Sequence, residues 1–370
     1  MNGIRPRFRL AVIVSVALSV AGCQSGSHRA SPAPAASTEV HEVWRWDAPP
    51  PAYVGMPAAD SSGVAFTSAL SRLILLDTDG HVTWIAEKLH LRDVAPLLTP
   101  DLVVAATESG MAAFDRTTGA VAWSSDFGQR ANTPVSAGDV LVTSTWDGSI
   151  VGLDETTGAR KWQSALPGPA FGPAASEGGL AVTTWVADDH SQAGAVAVDA
   201  ATGQQRWSVP LPTGGVSAPG IGSGEPARVV VVAGDVAAHA LDLETGAELW
   251  RTGLEGAGSP EVRPLPVAGG DVLVAHRLGG MAILDSDGKI HWQVSSGGAA
   301  VRGAPAGPGP GGRFALPLDD GRLLLAGPGA PTTVLDPPGR VSGVAMGPAA
   351  VLVVGTREAS VNGVNASSGW

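Results

Sequence analysis

Four arginines recur just ahead of a proline, and their side chains could bind a carboxylate. Arg92, Arg130, Arg263 and Arg302 each stand one to four residues before a proline of a repeating pattern. A guanidinium presents its N–H donors in a planar fork that matches the two oxygens of a carboxylate. If the repeat closes into a ring, we predict that these side chains surround one mouth of its central channel and hold carboxylates or an acidic peptide. The alternative is that each pairs with a neighbouring Asp or Glu at the rim.

Trp185 is the second candidate for a partner contact. It lies outside the register of the repeated tryptophans and opens the polar segment Trp185–Gln192, in the longest repeat unit. We predict an extended hairpin loop with an exposed indole, because exposed aromatic side chains often anchor interfaces. Asp188, Asp189 and His190 could ligate a metal, but polar side chains on a loop are ordinarily solvated, and no metal site is predicted.

Six aspartates recur at one place in the repeat, which argues against paired-carboxylate chemistry. Their period puts each one in a separate hairpin, where an Asp side chain accepts backbone N–H groups of the turn. We therefore predict a turn-forming role, and no catalytic residue, for Asp77, Asp115, Asp154, Asp199, Asp242 and Asp285.

Cys23 is the single cysteine, so the chain can form no internal disulfide. A basic segment with three arginines and the apolar run from Leu10 to Ala21 precede it, as in a secretory signal peptide. The residues from Leu18 to Cys23 resemble the lipobox of bacterial lipoproteins. That resemblance implies cleavage after residue 22, lipidation of Cys23, and export to the outer face of the cytoplasmic membrane, or to the outer membrane in an organism that has one. Residues 23–39, rich in Ser, Ala and Pro, are predicted to be a flexible tether.

The composition indicates a globular chain with many turns. Gly 50 and Pro 29 exceed ordinary usage, while hydrophobic residues at 44% with charged residues at 15% supply enough apolar surface for a core. The net charge of −11 argues against nucleic acid as a partner, since nucleic-acid binding needs a basic surface.

A repeat of about 40 residues positions all of these side chains. Its units read apolar-Asp-x-x-Thr-Gly-x-x-x-Trp or a one-residue contraction, which predicts a strand, a tight hairpin and a second strand. Prolines and short β-rich runs recur in phase, giving four strands in each unit, and no helical periodicity is present outside the leader. The repeated tryptophans, predicted to dock between units, are Trp84, Trp123, Trp162, Trp207, Trp250 and Trp292.

The length of the repeat region predicts eight blades and a closed ring. Residues 43–370 allow 41 residues for each of eight units. Unit seven keeps Asp336 and Gly339 but has lost its Trp, and unit eight stops where its outermost strand should begin. The segment Glu42–Trp46 looks like that missing strand. We therefore predict an all-β fold in which residues 40–370 form one eight-bladed β-propeller, with four antiparallel strands per blade and an N-terminal strand that closes the ring.

The repeat resembles the PQQ-like, tryptophan-docking β-propeller shared by quinoprotein dehydrogenases and BamB-type lipoproteins. With the lipobox and the tether, the resemblance to the lipoproteins is the stronger one. It implies a monomeric, non-catalytic scaffold without a cofactor, anchored to a membrane by lipid, that binds an envelope protein or peptide. Two alternatives stay open: a lipoprotein that senses a ligand or binds polysaccharide, and a PQQ-dependent dehydrogenase. The dehydrogenases carry a vicinal disulfide, which one cysteine cannot form.

Overall fold

The computed structural model describes residues 41–48, 54–69, 71–87, 90–170, 172–222, 226–254, 263–276, 280–337, 340–347, 352–356 and 360–365. The predicted signal peptide, Cys23 and the tether up to residue 39 lie outside the described residues. Within the described ranges, no helix combines the length and apolarity that crossing a bilayer requires.

Eight antiparallel sheets follow one another along the chain, and each is one blade of a propeller. After β1 (His41–Asp47), the first four blades comprise β2 (Ala58–Asp60), β3 (Gly63–Ser68), β4 (Arg72–Leu76), β5 (Val82–Ala86); β6 (Leu97–Leu98), β7 (Leu102–Ala106), β8 (Gly110–Asp115), β9 (Val121–Asp126); β10 (Val135–Ala137), β11 (Val140–Ser144), β12 (Ser149–Asp154), β13 (Arg160–Ala165); and β14 (Ala175–Glu177), β15 (Leu180–Val186), β16 (Ala193–Asp199), β17 (Gln205–Leu211).

The last four blades repeat this plan with one shortened sheet. They comprise β18 (Gly220–Gly222), β19 (Arg228–Ala233), β20 (Ala237–Asp242), β21 (Glu248–Gly253); β22 (Leu265–Pro266), β23 (Val272–His276), β24 (Gly280–Leu284), β25 (Ile290–Ser295); β26 (Phe314–Pro317), β27 (Leu323–Gly327), β28 (Ala330–Leu335); and β29 (Val341–Met346), β30 (Leu352–Thr356), β31 (Ser360–Asn365). Two 3₁₀ turns, Ala268–Gly270 and Pro310–Gly312, are the helical elements of the described residues. The prediction of an all-β, eight-bladed propeller is confirmed.

Eight apolar clusters form the core, and each one lies between two neighbouring blades. The buried faces of blades 1 and 2 meet around Leu73, Trp84 and Phe114, and those of blades 8 and 1 meet around Phe66 and Val353. Because the second and third strands of blades 1 to 5 are buried along almost their whole length, each of these sheets packs against a neighbour on both of its faces. The inner strands line up around the axis, with β29 of the last blade against β2 of the first.

The N-terminal strand closes the ring, as predicted. β1 pairs antiparallel with β31 and becomes the outermost strand of blade 8, whose order is β1-β31-β30-β29. Trp44 then occupies the docking position of this blade, with its indole against Gly80 of blade 1. The ring of Trp46 packs on Phe66 of blade 1 with 5.1 Å between ring centroids.

The repeated aspartates form the turn between the third and fourth strands of a blade. In blade 3, Asp154 Oδ1 accepts the N–H of Thr157 at 2.9 Å and its hydroxyl at 2.8 Å. Gly158 ends the turn with φ at +68°, where its N–H donates to the carbonyl of Asp154. A residue with a Cβ is strained at this backbone angle.

The repeated tryptophans lock each blade to the next one. The Trp123 ring of blade 2 lies on the backbone of Gly158 in blade 3, and its Nε1 donates to the carbonyl of Glu155 at 2.9 Å. The same hydrogen bond, to the residue after the turn aspartate, is made by Trp84, Trp162, Trp207 and Trp250. Docking between blades, predicted from the period alone, is confirmed at these positions.

Blade 7 departs from the plan in its inner strand, its turn and its tryptophan. Its inner strand is reduced to one bridge between Ala306 and Ala315. The hairpin between β27 and β28 turns tightly around Gly329, so Asp336 follows β28 and leads to blade 8. The expectation that Asp336 and Gly339 mark the turn of unit seven is therefore wrong, and Gly339 lies outside the described residues. Thr333, paired with Leu325, takes the tryptophan position.

We expect the Thr157→Val variant to titrate Asp154 at a higher pH. The hydrogen bond from the Thr157 hydroxyl, followed by that from its backbone N–H, holds the pKa of Asp154 below its ordinary value. A lowered pKa in the folded state contributes stability above the unfolded pKa and loses it as pH falls through the folded pKa. The carboxyl carbon of Asp154, followed by NMR against pH, measures the shift.

The control for this titration is Thr156→Val in the same turn. Thr156 makes no side-chain hydrogen bond to Asp154 among the described residues. The Thr156→Val variant should therefore leave the pKa of Asp154 unchanged. Equal shifts in the two variants would contradict the assignment of the lowered pKa to Thr157.

Candidate functional site

One face of the propeller carries the segments that enter each blade and the turns between second and third strands. We call it the connection face. The entering residues pair with the ends of the second strands, as in the bridges Leu91–Thr107 and Ala131–Thr145. The Asp-Thr-Gly turns lie at the opposite ends of the same strands. All four predicted arginines lie in entering segments and therefore on the connection face.

An arginine–tryptophan pair joins blades 2 and 3 on this face. The Arg92 guanidinium lies over the Trp146 ring, 4.7 Å from its centroid, and its NH1 donates to the carbonyl of Ala131. Trp146 belongs to the turn between β11 and β12 and is 40% exposed, an unusual exposure for so large an apolar side chain. Its Nε1 donates to Asn132 Oδ1 at 3.0 Å, which fixes the orientation of the indole.

Buried polar contacts hold this pair in place. Asn132 is 4% exposed, and its amide donates to Ser144 Oγ at 3.0 Å and to the carbonyl of Ala170 in blade 4 at 2.8 Å. Ser144 in turn donates to the carbonyl of Gly172. Because these groups are paired and closed off from water, the Trp146 turn is supported by both neighbouring blades.

The charges beside the pair are partly balanced. Arg130 Nε donates to Glu108 Oε2 at 2.9 Å, and both side chains are more than half exposed. Burial lowers the pKa of the Arg92 guanidinium, Glu108 opposes that effect and Arg130 adds to it. Arg92 nevertheless stays protonated at neutral pH, since arginine is always charged in proteins. A carboxylate that reached Arg92 would meet a guanidinium that contacts a backbone carbonyl and the face of an indole.

The other two arginines have different surroundings. Arg263 is partly buried, and its Nε donates to the carbonyl of Pro219 in blade 5 at 3.1 Å. Burial lowers its pKa. Arg302 is exposed, and its backbone N–H donates to the carbonyl of Pro317. Arg92 and Arg130 therefore lie near each other at blades 2 and 3. Of the four arginines, Arg130 forms a salt bridge with a carboxylate among the described residues. A binding ring made by all four remains a prediction.

Trp185 is buried, so the expectation of an exposed loop tryptophan is wrong. It lies within β15, is 6% exposed, and packs against Ile150 and Leu166 of blade 3. The unit is long for two reasons: its strands are longer, and the connection of residues 187–192 between β15 and β16 has six residues, against three or four in blades 1, 2, 3 and 5. A hydrogen bond from the N–H of Ala187 to the carbonyl of Gln192 closes this hairpin. The role of Trp185 in binding a partner remains a prediction.

Three potential metal-ligating side chains come together in the turn of blade 1. Asp77, Asp79 and His81 place ligand atoms within 4.8 Å of one another. Asp77 Oδ1 already accepts the N–H groups of Asp79 and His81, as the other turn aspartates do with their own turns. The geometry of this cluster is thus explained by the turn itself.

The sequence of this propeller matches one known protein family. The family model described as "Outer membrane protein assembly factor BamB" matches residues 37–170, 71–239 and 192–337, which together span most of the chain. The chain belongs to the BamB family. BamB-family membership confirms the PQQ-like repeat that was predicted from the Asp-x-x-Thr-Gly-x-x-x-Trp pattern.

Solved structures with the same propeller come from proteins of different function. The crystal structure of BamB from Moraxella catarrhalis matches with a TM-score of 0.67 and 16% identity, over 89% of this BamB-family chain and 98% of the other. The designed protein Ika8 matches with a TM-score of 0.69 and 16% identity, over 89% and 98%. A quinohemoprotein alcohol dehydrogenase from Pseudomonas putida HK5 matches with a TM-score of 0.69 and 12% identity, over 90% and 76%. At these identities the likeness establishes the fold alone. No curated protein matches the sequence significantly.

Sequence reasoning missed Trp146 and Asn132. The signal for Trp146 was present, because it is a tryptophan outside the outer-strand register that directly precedes the turn residues Asp147-Gly148. The signal for Asn132 was absent, because its partners come from two different blades. The candidate site of this BamB-family chain is therefore the part of the connection face where blades 2 and 3 meet.

Proposed function

We propose that this BamB-family chain is a non-catalytic scaffold that binds another protein of the bacterial cell envelope through its connection face. The observation that carries the proposal is the Arg92–Trp146 pair on a propeller of the BamB family. Tryptophan and arginine are the side chains most enriched at the energetic centres of protein interfaces. Here the two are stacked on each other and held by neighbouring blades, so little side-chain entropy is lost on binding.

The partner segment is proposed to carry a carboxylate beside an apolar side chain. Arg92 offers its remaining N–H donors to a carboxylate, and the exposed part of the Trp146 ring offers an apolar contact. Arg130 is paired with Glu108, whereas the hydrogen bond that the Arg92 side chain makes goes to the carbonyl of Ala131.

The proposed place of action is the outer face of a membrane. The support for it is the lipobox ending at Cys23 and the polar segment of residues 24–39, which separate a lipid anchor from the first strand at His41. The non-catalytic role is supported by the lone cysteine, which cannot supply the vicinal disulfide of the PQQ-dependent dehydrogenases. It is also supported by the aspartates of the repeat, whose oxygens are engaged in their own turns.

Photo-crosslinking in cells tests this proposal. A photoreactive amino acid at Asp147, beside Trp146, is expected to trap an envelope protein, because Asp147 is exposed on the connection face. The same label at Glu244, in an Asp-Thr-Gly turn on the opposite face, should trap far less of that protein. Arg92→Ala should reduce the yield at Asp147 about tenfold, the effect of removing a charge-assisted hydrogen bond of about 1.5 kcal/mol.

Two further variants make the outcome decisive. Arg206→Ala removes an exposed arginine paired with Asp199 on an outer strand and should leave the crosslink unchanged. Cys23→Ser should release the protein from the membrane fraction and lower the yield from a membrane partner. Equal crosslinking at Asp147 and Glu244, or a yield indifferent to Arg92→Ala, would overturn the proposed site.

A further inference from the structure

Blade 4 has longer strands than its neighbours. Its strands β15, β16 and β17 each have seven residues, whereas the corresponding strands of blades 1, 2, 3 and 5 have five or six. The extra length raises the hairpin of residues 187–192 above the connection face. The longer strands and the six-residue hairpin together account for the 45-residue spacing between the tryptophans of units three and four.

A pocket of about 330 Å³ lies beside this raised hairpin. Its walls come from the hairpin, from the outermost strand β17 and from the segment that leaves the blade. The lining includes Trp185, Gln192, Ser208, Pro210, Leu211 and Thr213. The size is at the lower end of the range that binds small molecules.

Trp185 brings a buried donor without a partner to this pocket. Its Nε1 has no hydrogen-bond partner among the described residues and is closed off from solvent. The indole lies over Gly194, and its Nε1 and Cζ2 atoms are each 2.9 Å from the position that a Cβ on Gly194 would take. Gly194 pairs with Pro210 of β17, so this edge of the ring points towards the pocket wall. A buried donor left unpaired costs about 1–3 kcal/mol, so a ligand oxygen that reached it would recover that energy. Because Nε1 is closed off from solvent, a ligand can reach it only if side chains of the lining move, and Gln192 is an exposed side chain of that lining.

The lining is uncharged, and the adjoining turn places two carboxylates and one histidine beside it. Four lining side chains carry hydroxyl or amide groups, namely Ser191, Gln192, Ser208 and Thr213. The adjoining turn contains Asp188 and Asp189, and hydrogen bonds from Ser191 hold the pKa of Asp189 below its ordinary value. An ionised carboxylate next to the pocket repels phosphates and carboxylates.

The outer edge of the blade also disfavours an extended peptide at this place. Peptides add to a sheet through main-chain hydrogen bonds along an edge strand. Pro210 has no N–H, and it interrupts the free edge of β17 beside the pocket. Separate hydroxyl and amide groups remain to recognise a ligand, and they suit a molecule with hydroxyls that both donate and accept.

We propose that this pocket binds a neutral saccharide unit, with Trp185 Nε1 donating to one of its oxygens and Ser208, Gln192 and Thr213 bonding its hydroxyls. Pro210 and Leu211 provide the apolar contact for the C–H face of the sugar ring. Neither Arg92 nor Trp146 lines this pocket, so a test of saccharide binding does not depend on the scaffold function proposed above.

The indole N–H resonance of Trp185 provides the test. It is assigned by its loss in Trp185→Phe and followed in two-dimensional ¹H–¹⁵N spectra of the full chain during titration with maltotriose, cellotriose and N,N′-diacetylchitobiose. We expect at least one neutral saccharide to shift this resonance, with a Kd on the order of 1 mM. Trigalacturonic acid, which is anionic, should leave it unmoved.

Exposed variants keep the test independent of folding. Ser208→Ala and Thr213→Val should each weaken binding several-fold. Ser124→Ala, at the equivalent place after the tryptophan of blade 2, should leave it unchanged. The proposal is overturned if no neutral saccharide moves the Trp185 resonance at ten times that concentration. It is also overturned if Ser124→Ala and Ser208→Ala weaken binding equally, or if a neutral hexapeptide moves the resonance and the sugars do not.

Discussion

Replacing Trp44 and Trp46 together with alanine will lower the Tm of the protein by about 5 °C, through a loss of about 4 kcal/mol. Both indoles are partly buried where β1 completes blade 8. Trp44 lies against Gly80 and Trp46 against Phe66, so the double variant removes the apolar contacts that hold β1 to blade 1. Differential scanning calorimetry measures the change.

The control for the closing strand is Val43→Ala. Val43 lies on the same strand but is 52% exposed, so its truncation should leave Tm within about 1 °C. If the double tryptophan variant unfolded at the temperature of Val43→Ala, closure of the ring through β1 would be contradicted.

Replacing Gly158 with alanine will lower the free energy of unfolding by about 3 kcal/mol. Two effects add at this glycine. Its φ of +68° disfavours a Cβ, and that Cβ would collide with Cε3 of Trp123. The indole would then have to leave its position and lose the hydrogen bond to the carbonyl of Glu155. The urea midpoint at unchanged m-value gives the loss.

Gly138→Ala separates the two effects. Gly138 lies in the same blade with φ at +71°, and nothing stands within 4 Å of its missing Cβ. It should lose only the conformational part, about 1 kcal/mol. Equal losses for Gly138→Ala and Gly158→Ala would mean that the docked tryptophan contributes nothing to stability.

The sequence predicted the fold well because the propeller repeats one local device. The Asp-Thr-Gly turn and the tryptophan that docks on the next turn recur at a fixed period, and counting them yields the blades. The closing strand was predictable for the same reason, because Trp44 matches the docking position that unit eight lacks. What the period could not predict was the exception in blade 7, where a tight hairpin around Gly329 replaces the Asp turn and Thr333 replaces the indole.

The candidate site was predicted only in part, for physical reasons that differ between residues. The position of Arg92 followed from the repeat, but its contact with Trp146 depends on how two blades meet, and the spacing of residues does not fix that. Trp185 was misplaced because a polar segment of unusual length reads as a loop. Only residues 187–192 of that segment form the hairpin, whereas Trp185 itself lies in β15, and Gly194 of the paired strand makes room for its indole.

Pairing of β1 with β31 also governs when the fold can be completed. About 300 residues separate these two strands along the chain. At a synthesis rate of 5–20 residues per second, β1 emerges roughly 15–60 s before its partner exists. During that interval Trp44 and Trp46 are unpaired on an open strand edge, which exposes the chain to association with other copies of itself. Blades 1 to 7 can assemble through local hairpins in the meantime, so the first of the described strands to be made is the last one to be placed.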